Sequence, residues 1–313
     1  MTSLRASTKS ATRKPALLAL LLAYVSSAAH AGVVQRVEFP SVQSDKSGAP
    51  IALRAILILP SGPVPAGGFP ALVALHGCGG MYSTLKGHED ELAQRLALRA
   101  KRYVSQGYAV LFPDSFRPRG TREVCTTRLG ERTVTIAQRR LDALGALAWL
   151  AKRGDIAGDR IALVGWSHGG STALQASNLG DATVARFANA PEAPFFRAVV
   201  AFYPGCTVPL TRQSQWKPGA PTRIHIGALD DWTAPEPCEQ WTQAMRRKGF
   251  DVAIHVYPGA QHGFDSPSGA VVHRTDVPNG VTPGAGVHVG PEPAARAAAN
   301  VEVDAFLRAR LAP

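Results

Sequence analysis

The chain has 313 residues, 45% hydrophobic and 18% charged, with 30 glycines and 24 prolines. That is apolar material for one large core, or two small ones as the alternative, threaded by many loops, and it excludes a disordered chain. The net charge of +11 raises nucleic acid as a partner, but the basic residues are scattered and lack aromatic interleaving, which argues against it.

The N-terminus reads as an export leader. Arg5, Lys9, Arg13 and Lys14 are followed by an apolar run, Ala16 to Val25, and by Ala29-His30-Ala31, a small-residue cleavage site before Gly32. The run is far shorter than the roughly 20 residues that span a bilayer. We therefore expect residues 1–31 to be removed, leaving a periplasmic or secreted protein with no membrane anchor and one catalytic domain over 32–313. Loss of these four cations and no acid lowers the net charge to +7.

Apolar strand-like runs then alternate with helical spacing. Val33–Phe39 and Ile51–Leu59, joined by the polar turn Ser44–Gly48, form a leading hairpin. Ala71–Leu75 is a short buried strand, Glu89–Gln106 a helix with Leu92, Leu96, Ala100 and Tyr103 on one face, and Tyr108–Pro113 the next strand. Ile136–Arg153 is helical, Ile161–Trp166 is a strand, and a helix follows from Gly169. Arg197–Tyr203, Arg223–Gly227 and Val252–Tyr257 are strands. Pro235–Lys248 and Pro293–Leu311 are helices. Ser266–Pro291, rich in Gly, Pro and Val, is an excursion beside the site. The alternation predicts an α/β fold: a mostly parallel central sheet of about eight strands with helices on both faces.

The strand Ile161–Trp166 runs directly into Gly165-Trp166-Ser167-His168-Gly169. A G-x-S-x-G turn between strand and helix is a nucleophile elbow: the glycines let strand and helix approach, and the strained serine stands exposed at the sheet's edge. A serine hydroxyl needs a base, and the base an orienting carboxylate. In this architecture they follow in the order Ser, acid, His. Asp230 follows the strand ending at Gly227, and His262 follows the strand ending at Tyr257. Asp231 is the neighbouring alternative acid, or a cap for the next helix. The tetrahedral intermediate needs N–H donors. We assign these to the backbones of His168 and Cys78, the latter in the glycine-rich loop His76-Gly-Cys-Gly-Gly80 with Gly77 or Gly79 as the alternatives one place away, and with His76 as a brace. His88, His225 and His255 receive no catalytic role. Trp166, Trp232 and Phe264 are candidate pocket walls.

Cys78, Cys125, Cys206 and Cys238 show no zinc spacing. In an oxidising compartment they suit two disulfides. Cys78–Cys125 and Cys206–Cys238 are expected, because each pair falls on loops at one sheet end.

Taken together, His76-Gly-Cys-Gly-Gly80, Asp114-Ser-Phe-x-x-Arg-Gly120, Gly165-Trp-Ser-His-Gly-Gly170, Phe202-Tyr-Pro-Gly205, Gly227-x-x-Asp230 and His262-Gly-Phe264 resemble the dienelactone hydrolase family of the α/β-hydrolases. The resemblance implies Ser167, Asp230 and His262 as the triad. The name-giving enzymes carry cysteine in the elbow, and this chain has Ser167. A thiolate acts on an activated enol-lactone, whereas serine suits ordinary esters. The family also holds substrate carboxylates with arginines, which makes Arg117, Arg119, Arg122 and Arg128 candidates for an acidic substrate. The expected activity is hydrolysis of a small-molecule carboxylic ester through an acyl-enzyme, with no metal or organic cofactor. The rivals are a lactone hydrolase acting on a carboxylate-bearing substrate and a peptidase of prolyl-oligopeptidase type, which shares elbow and order. A large N-terminal domain, typical of the latter, is not expected here.

Overall fold

The computed structural model describes residues 1–2 and 32–313. Apart from its first two residues, the expected leader lies outside the described residues. Strands β1 (Val33–Ser44) and β2 (Pro50–Leu59) form the antiparallel leading pair. Their turn is set by Asp45, whose carboxylate accepts the N–H groups of Ser47 and Ala49, and by Gly48 at φ 88°. Then come β3 (Phe69–Leu75), α1 (Gln94–Val104), β4 (Ala109–Pro113), α2 (Ile136–Ala151), β5 (Ile156–Trp166) and α3 (His168–Ala176). The chain continues through α4 (Ala182–Ala188), β6 (Ala198–Phe202), α5 (Thr207–Thr211), β7 (Thr222–Gly227), α6 (Pro235–Arg247) and β8 (Val252–Tyr257). A short ribbon, β9 (Val272–Arg274) and β10 (Val287–Val289), precedes the closing α7 (Pro293–Leu311).

The first eight strands make one sheet in the order β1-β2-β4-β3-β5-β6-β7-β8, parallel from β4 onward. The chain passes outward from β3 to β4 and then jumps back across β3 to β5. That reversal opens a crevice at the carboxyl ends of the strands, where ligands bind in open α/β sheets. Register places Leu75 beside Gly165 and Trp166 beside Phe202, so the loops after β3, β5 and β6 emerge side by side. The central strands are covered on both faces, which explains why they read as continuous apolar runs.

Several elements depart from expectation: α4 and α5 do not figure in the sequence reading, and β5 begins at Ile156 rather than Ile161. Helix α1 begins at Gln94 rather than Glu89, because Leu92 forms a β-bridge with Tyr82 and Ala93 N–H donates to Met81 C=O. The Ser266–Pro291 excursion contains the β9–β10 ribbon and folds back onto the sheet edge, where Val289 bridges to His262 and Gly290 N–H donates to His262 C=O. Short strands of three residues carry too little periodicity to be read from sequence.

Candidate active site

Ser167 has φ 55° and ψ −120°, a backbone conformation rare for any residue but glycine. Holding it costs about 1–3 kcal/mol. Ser167 N–H donates to Phe202 C=O at 2.9 Å and Ser171 N–H to Ser167 C=O at 2.9 Å, so strand β6 and helix α3 clamp the turn from both sides. A Cβ on Gly165 would lie 2.2 Å from Gly169 O, and one on Gly169 would lie 2.0 Å from Leu75 O. The small residues on either side of the serine are therefore a steric requirement of the crossing.

Asp230 and His262, 32 residues apart, meet on the loops after β7 and β8. His262 Nδ1 lies 2.9 Å from Asp230 Oδ2 and 3.1 Å from Oδ1. The carboxylate also accepts the backbone N–H groups of Trp232 and Thr233 and the Thr233 hydroxyl. An acceptor-only partner on Nδ1 puts the imidazole proton there and leaves Nε2 with a lone pair. Nε2 is buried without a hydrogen-bond partner, and His262 lines the same cavity, of about 460 Å³, as Ser167. The ring is held between Tyr203, 4.5 Å away by centroids, and Trp232, 4.8 Å away.

Asp231 turns the other way. Its carboxylate accepts His288 N–H at 2.8 Å and pairs with His288 Nδ1 at 2.7 Å, tying the excursion down beside the site. It does not cap α6: that helix starts after Ala234 with no side-chain cap, its first residue being Pro235. The capping alternative is corrected accordingly.

The loop 76–80 lies against the elbow, with Cys78 lining the cavity beside Ser167. Both expected disulfides form, Cys78–Cys125 and Cys206–Cys238, although Cys238 sits near the start of α6 rather than on a loop as expected. His168 opens α3, so its N–H is one of the helix's N-terminal donors without an intrahelical acceptor. Behind both stands Arg139 of α2, which sequence reasoning missed. Arg139 Nη2 donates to His76 C=O at 2.8 Å and Nη1 to His168 Nδ1 at 2.7 Å. One fully buried guanidinium thus ties the 76–80 loop to the first residue of α3. Burial pulls this guanidinium down to about 9, and burial together with Arg139 pushes the imidazoles of His76 and His168 well below their ordinary range. His76 also braces its loop, as expected, through Nδ1 to Gly77 C=O.

The candidate arginines separate. Arg119 is not at the cavity: its guanidinium makes a bidentate pair with the buried carboxylate of Asp142 and also donates to Ser115 C=O and Gln43. The expectation of a substrate contact there is corrected, since a buried ion pair of this kind fixes the side chain in the interior. Arg117 lines the cavity but is engaged by Asp90 and Glu89 C=O and lies over the Tyr82 ring. Arg122 lines the same cavity, and Arg128 a second one. Trp166 and Trp232 do line the site. Phe264 is fully buried and packs on Tyr203.

Another unforeseen cluster sits beneath the cavity. Asp265 accepts from Arg99 at 2.5 Å, Tyr203 OH at 2.7 Å and Trp166 Nε1 at 2.8 Å. It holds the Tyr203 and Trp166 walls by their polar tips. The only sequence signal was its position three residues after His262.

No curated protein sequence matches this chain. Among solved structures, a protein from Klebsiella pneumoniae subsp. pneumoniae MGH 78578 assigned as a dienelactone hydrolase is 18% identical, with TM-score 0.62, covering 88% of this chain and 98% of that one. A dienelactone hydrolase-like promiscuous phosphotriesterase from metagenomic libraries is 19% identical with TM-score 0.59, covering 90% and 99%. Thermogutta terrifontis esterase 2, phosphorylated by paraoxon, is 19% identical with TM-score 0.57, covering 90% and 96%. At these identities the likeness is one of fold, and it matches the eight-stranded α/β-hydrolase sheet. The dienelactone hydrolase family model matches residues 54–308, from the second strand to the closing helix. With that span matched, this chain is an α/β-type hydrolase and belongs to the dienelactone hydrolase family.

Proposed function

We propose that the protein is an exported serine hydrolase of carboxylic esters, with Ser167 as nucleophile, His262 as base and Asp230 as its orienting acid. The observation that carries this is the state of His262: Nδ1 is bound to a carboxylate, while Nε2 is buried, unpaired and beside the cavity that Ser167 lines. Nε2 takes the Ser167 proton as Oγ attacks the ester carbonyl. The oxyanion is held by the N–H groups of Cys78 and His168. His262 returns the proton to the leaving alcohol, and water then cleaves the acyl-enzyme by the same steps in reverse. Two disulfides support an oxidising compartment, in keeping with a cleaved leader at residues 1–31.

A fluorophosphonate probe should label wild type at Ser167 and leave Ser167→Ala unlabelled, with p-nitrophenyl acetate turnover lost in the variant. Unlabelled wild type, or ester turnover surviving in Ser167→Ala, would remove the proposed chemistry.

A further inference from the structure

Two cavities meet at Ser167. The smaller holds His262 and carries Arg95, Arg99, Arg117, Arg122 and Arg274 on its walls. The larger, about 900 Å³, opens on the other side of the serine and shares only Cys78, Ser167 and Trp232 with the first. Its walls differ in chemistry. Leu129, Val208 on α5 and Val281 in the excursion face it from three separate segments, joined by Ile136, Pro278 and Pro283. Leu129, Val208 and Val281 are 65%, 48% and 53% exposed. Among its described lining residues the only charged ones are Arg128 and Arg132, and none is acidic.

These walls are fixed in place. Asn279 donates to Thr127 C=O at 2.8 Å and accepts Leu129 N–H at 3.1 Å, joining the excursion to the Leu129 segment. Val281 N–H donates to Asp231 C=O at 2.8 Å. The Cys206–Cys238 disulfide anchors the start of α5 to α6, below Val208. Exposed apolar side chains converging on one preformed space gain most from an apolar occupant. Because Ser167 itself lines the space, an occupant there can be continuous with the reacting carbonyl.

We infer that the larger cavity binds an extended alkyl group of the ester, so that the preferred substrates carry, on one side of the scissile bond, a chain much longer than acetyl. This rests on the serine-hydrolase reading and adds the substrate class to it. A small polar ester would leave Leu129, Val208 and Val281 in water and gain nothing from them.

Two ester series test it: p-nitrophenyl acyl esters from acetate to dodecanoate, and alkyl acetates from ethyl to dodecyl. In one series kcat/KM should rise about two- to fourfold per methylene up to at least eight carbons, mainly through KM. Val208→Asp and Val281→Asp should flatten that gradient, lowering decanoyl or decyl ester turnover at least tenfold relative to the two-carbon ester. Val301→Asp, on the exposed face of α7, should leave the gradient as in wild type. A flat or falling profile in both series, or a gradient that both cleft variants keep, overturns the inference. Absence of all ester turnover in wild type, acetate included, instead refutes the proposed chemistry. The cavity then answers through binding: decanol titrated by calorimetry into Ser167→Ala should bind, and more weakly once Val208→Asp is added. No binding there overturns the alkyl site.

Discussion

Arg139 is the side chain on which the proposed oxyanion hole leans. A guanidinium buried without a carboxylate partner is costly, and here its hydrogen bonds join His76 and His168, the flanks of the two proposed donors. Arg139→Met should therefore lower kcat by roughly tenfold or more with KM little changed, since a donor moved out of line is lost to the transition state. Steady-state kinetics beside a thermal melt separates this from unfolding. Arg139→Lys, a point charge without the planar fork, should recover only part of the loss. The adjacent acids divide by partner. Asp230→Asn should cost about 10³- to 10⁴-fold in kcat by upsetting the His262 tautomer, whereas Asp231→Asn breaks only the pair with His288 and should cost far less. Comparable losses in the two variants would remove the assignment of Asp230. Gly165→Ala puts a methyl 2.2 Å from backbone oxygen and should cost about 3 kcal/mol in urea unfolding.

At the level of elements, the strands are secured by the core and the rim loops by covalent staples. Cys78–Cys125 joins the 76–80 loop to the segment after β4, and Cys206–Cys238 joins α5 to α6. With sequence separations of 47 and 32, each closes a loop worth about 4 kcal/mol in the chain-entropy treatment. Thiol reductant should shift the denaturant midpoint of wild type downward. Replacing both Cys78 and Cys125 by Ala should also lower kcat for acetate, because that staple holds a proposed oxyanion donor. Replacing Cys206 and Cys238 by Ala should act mainly on stability and on long-chain esters. Equal kinetic effects of the two double variants would contradict this division.

Over the whole molecule, burial acts on titratable groups far from one another, and among the described residues His76, His168 and His225 are buried imidazoles held neutral by it. Burial, the largest cause, pushes His76 and His168 well below the usual range and takes His225, bonded to Tyr257 OH, to about 3. A depressed folded-state value means that the unfolded chain binds the proton first. The stabilisation is complete above pH 6.5 and is lost as pH falls below it, at roughly 1.4 kcal/mol per pH unit for each ring. Melting temperature should drop steeply from pH 6.5 to 5, and His225→Gln should make the drop shallower. At the alkaline end the sign reverses. Burial raises Tyr103 to about 12, and Tyr203 rises with it. Their contribution holds up to pH 10 and is lost above it, so melting temperature should fall again there. A flat profile from pH 5 to 7 would mean that these rings reach solvent in the folded state.

The sheet and the elbow were legible in the sequence because each has a local mark, an apolar run or a Gly-x-Ser-x-Gly turn, whereas the cysteine pairs, 47 and 32 residues apart, and the choice of Asp230 over Asp231 followed only from the order of strands and loops that those marks imply. Arg139, Asp265 and the burial of Arg119 against Asp142 were not legible. Nothing near them in the chain announces a partner 23, 29 or 99 residues away, and a buried arginine reads in sequence like a solvated one. The second cavity was equally invisible, since its walls come from α5, the Leu129 segment and the excursion, and only the folding of these onto one edge makes a space of them. Local sterics and apolar periodicity determine the elements along the chain. Which polar groups meet, and what hollow they enclose, is decided by packing at long range.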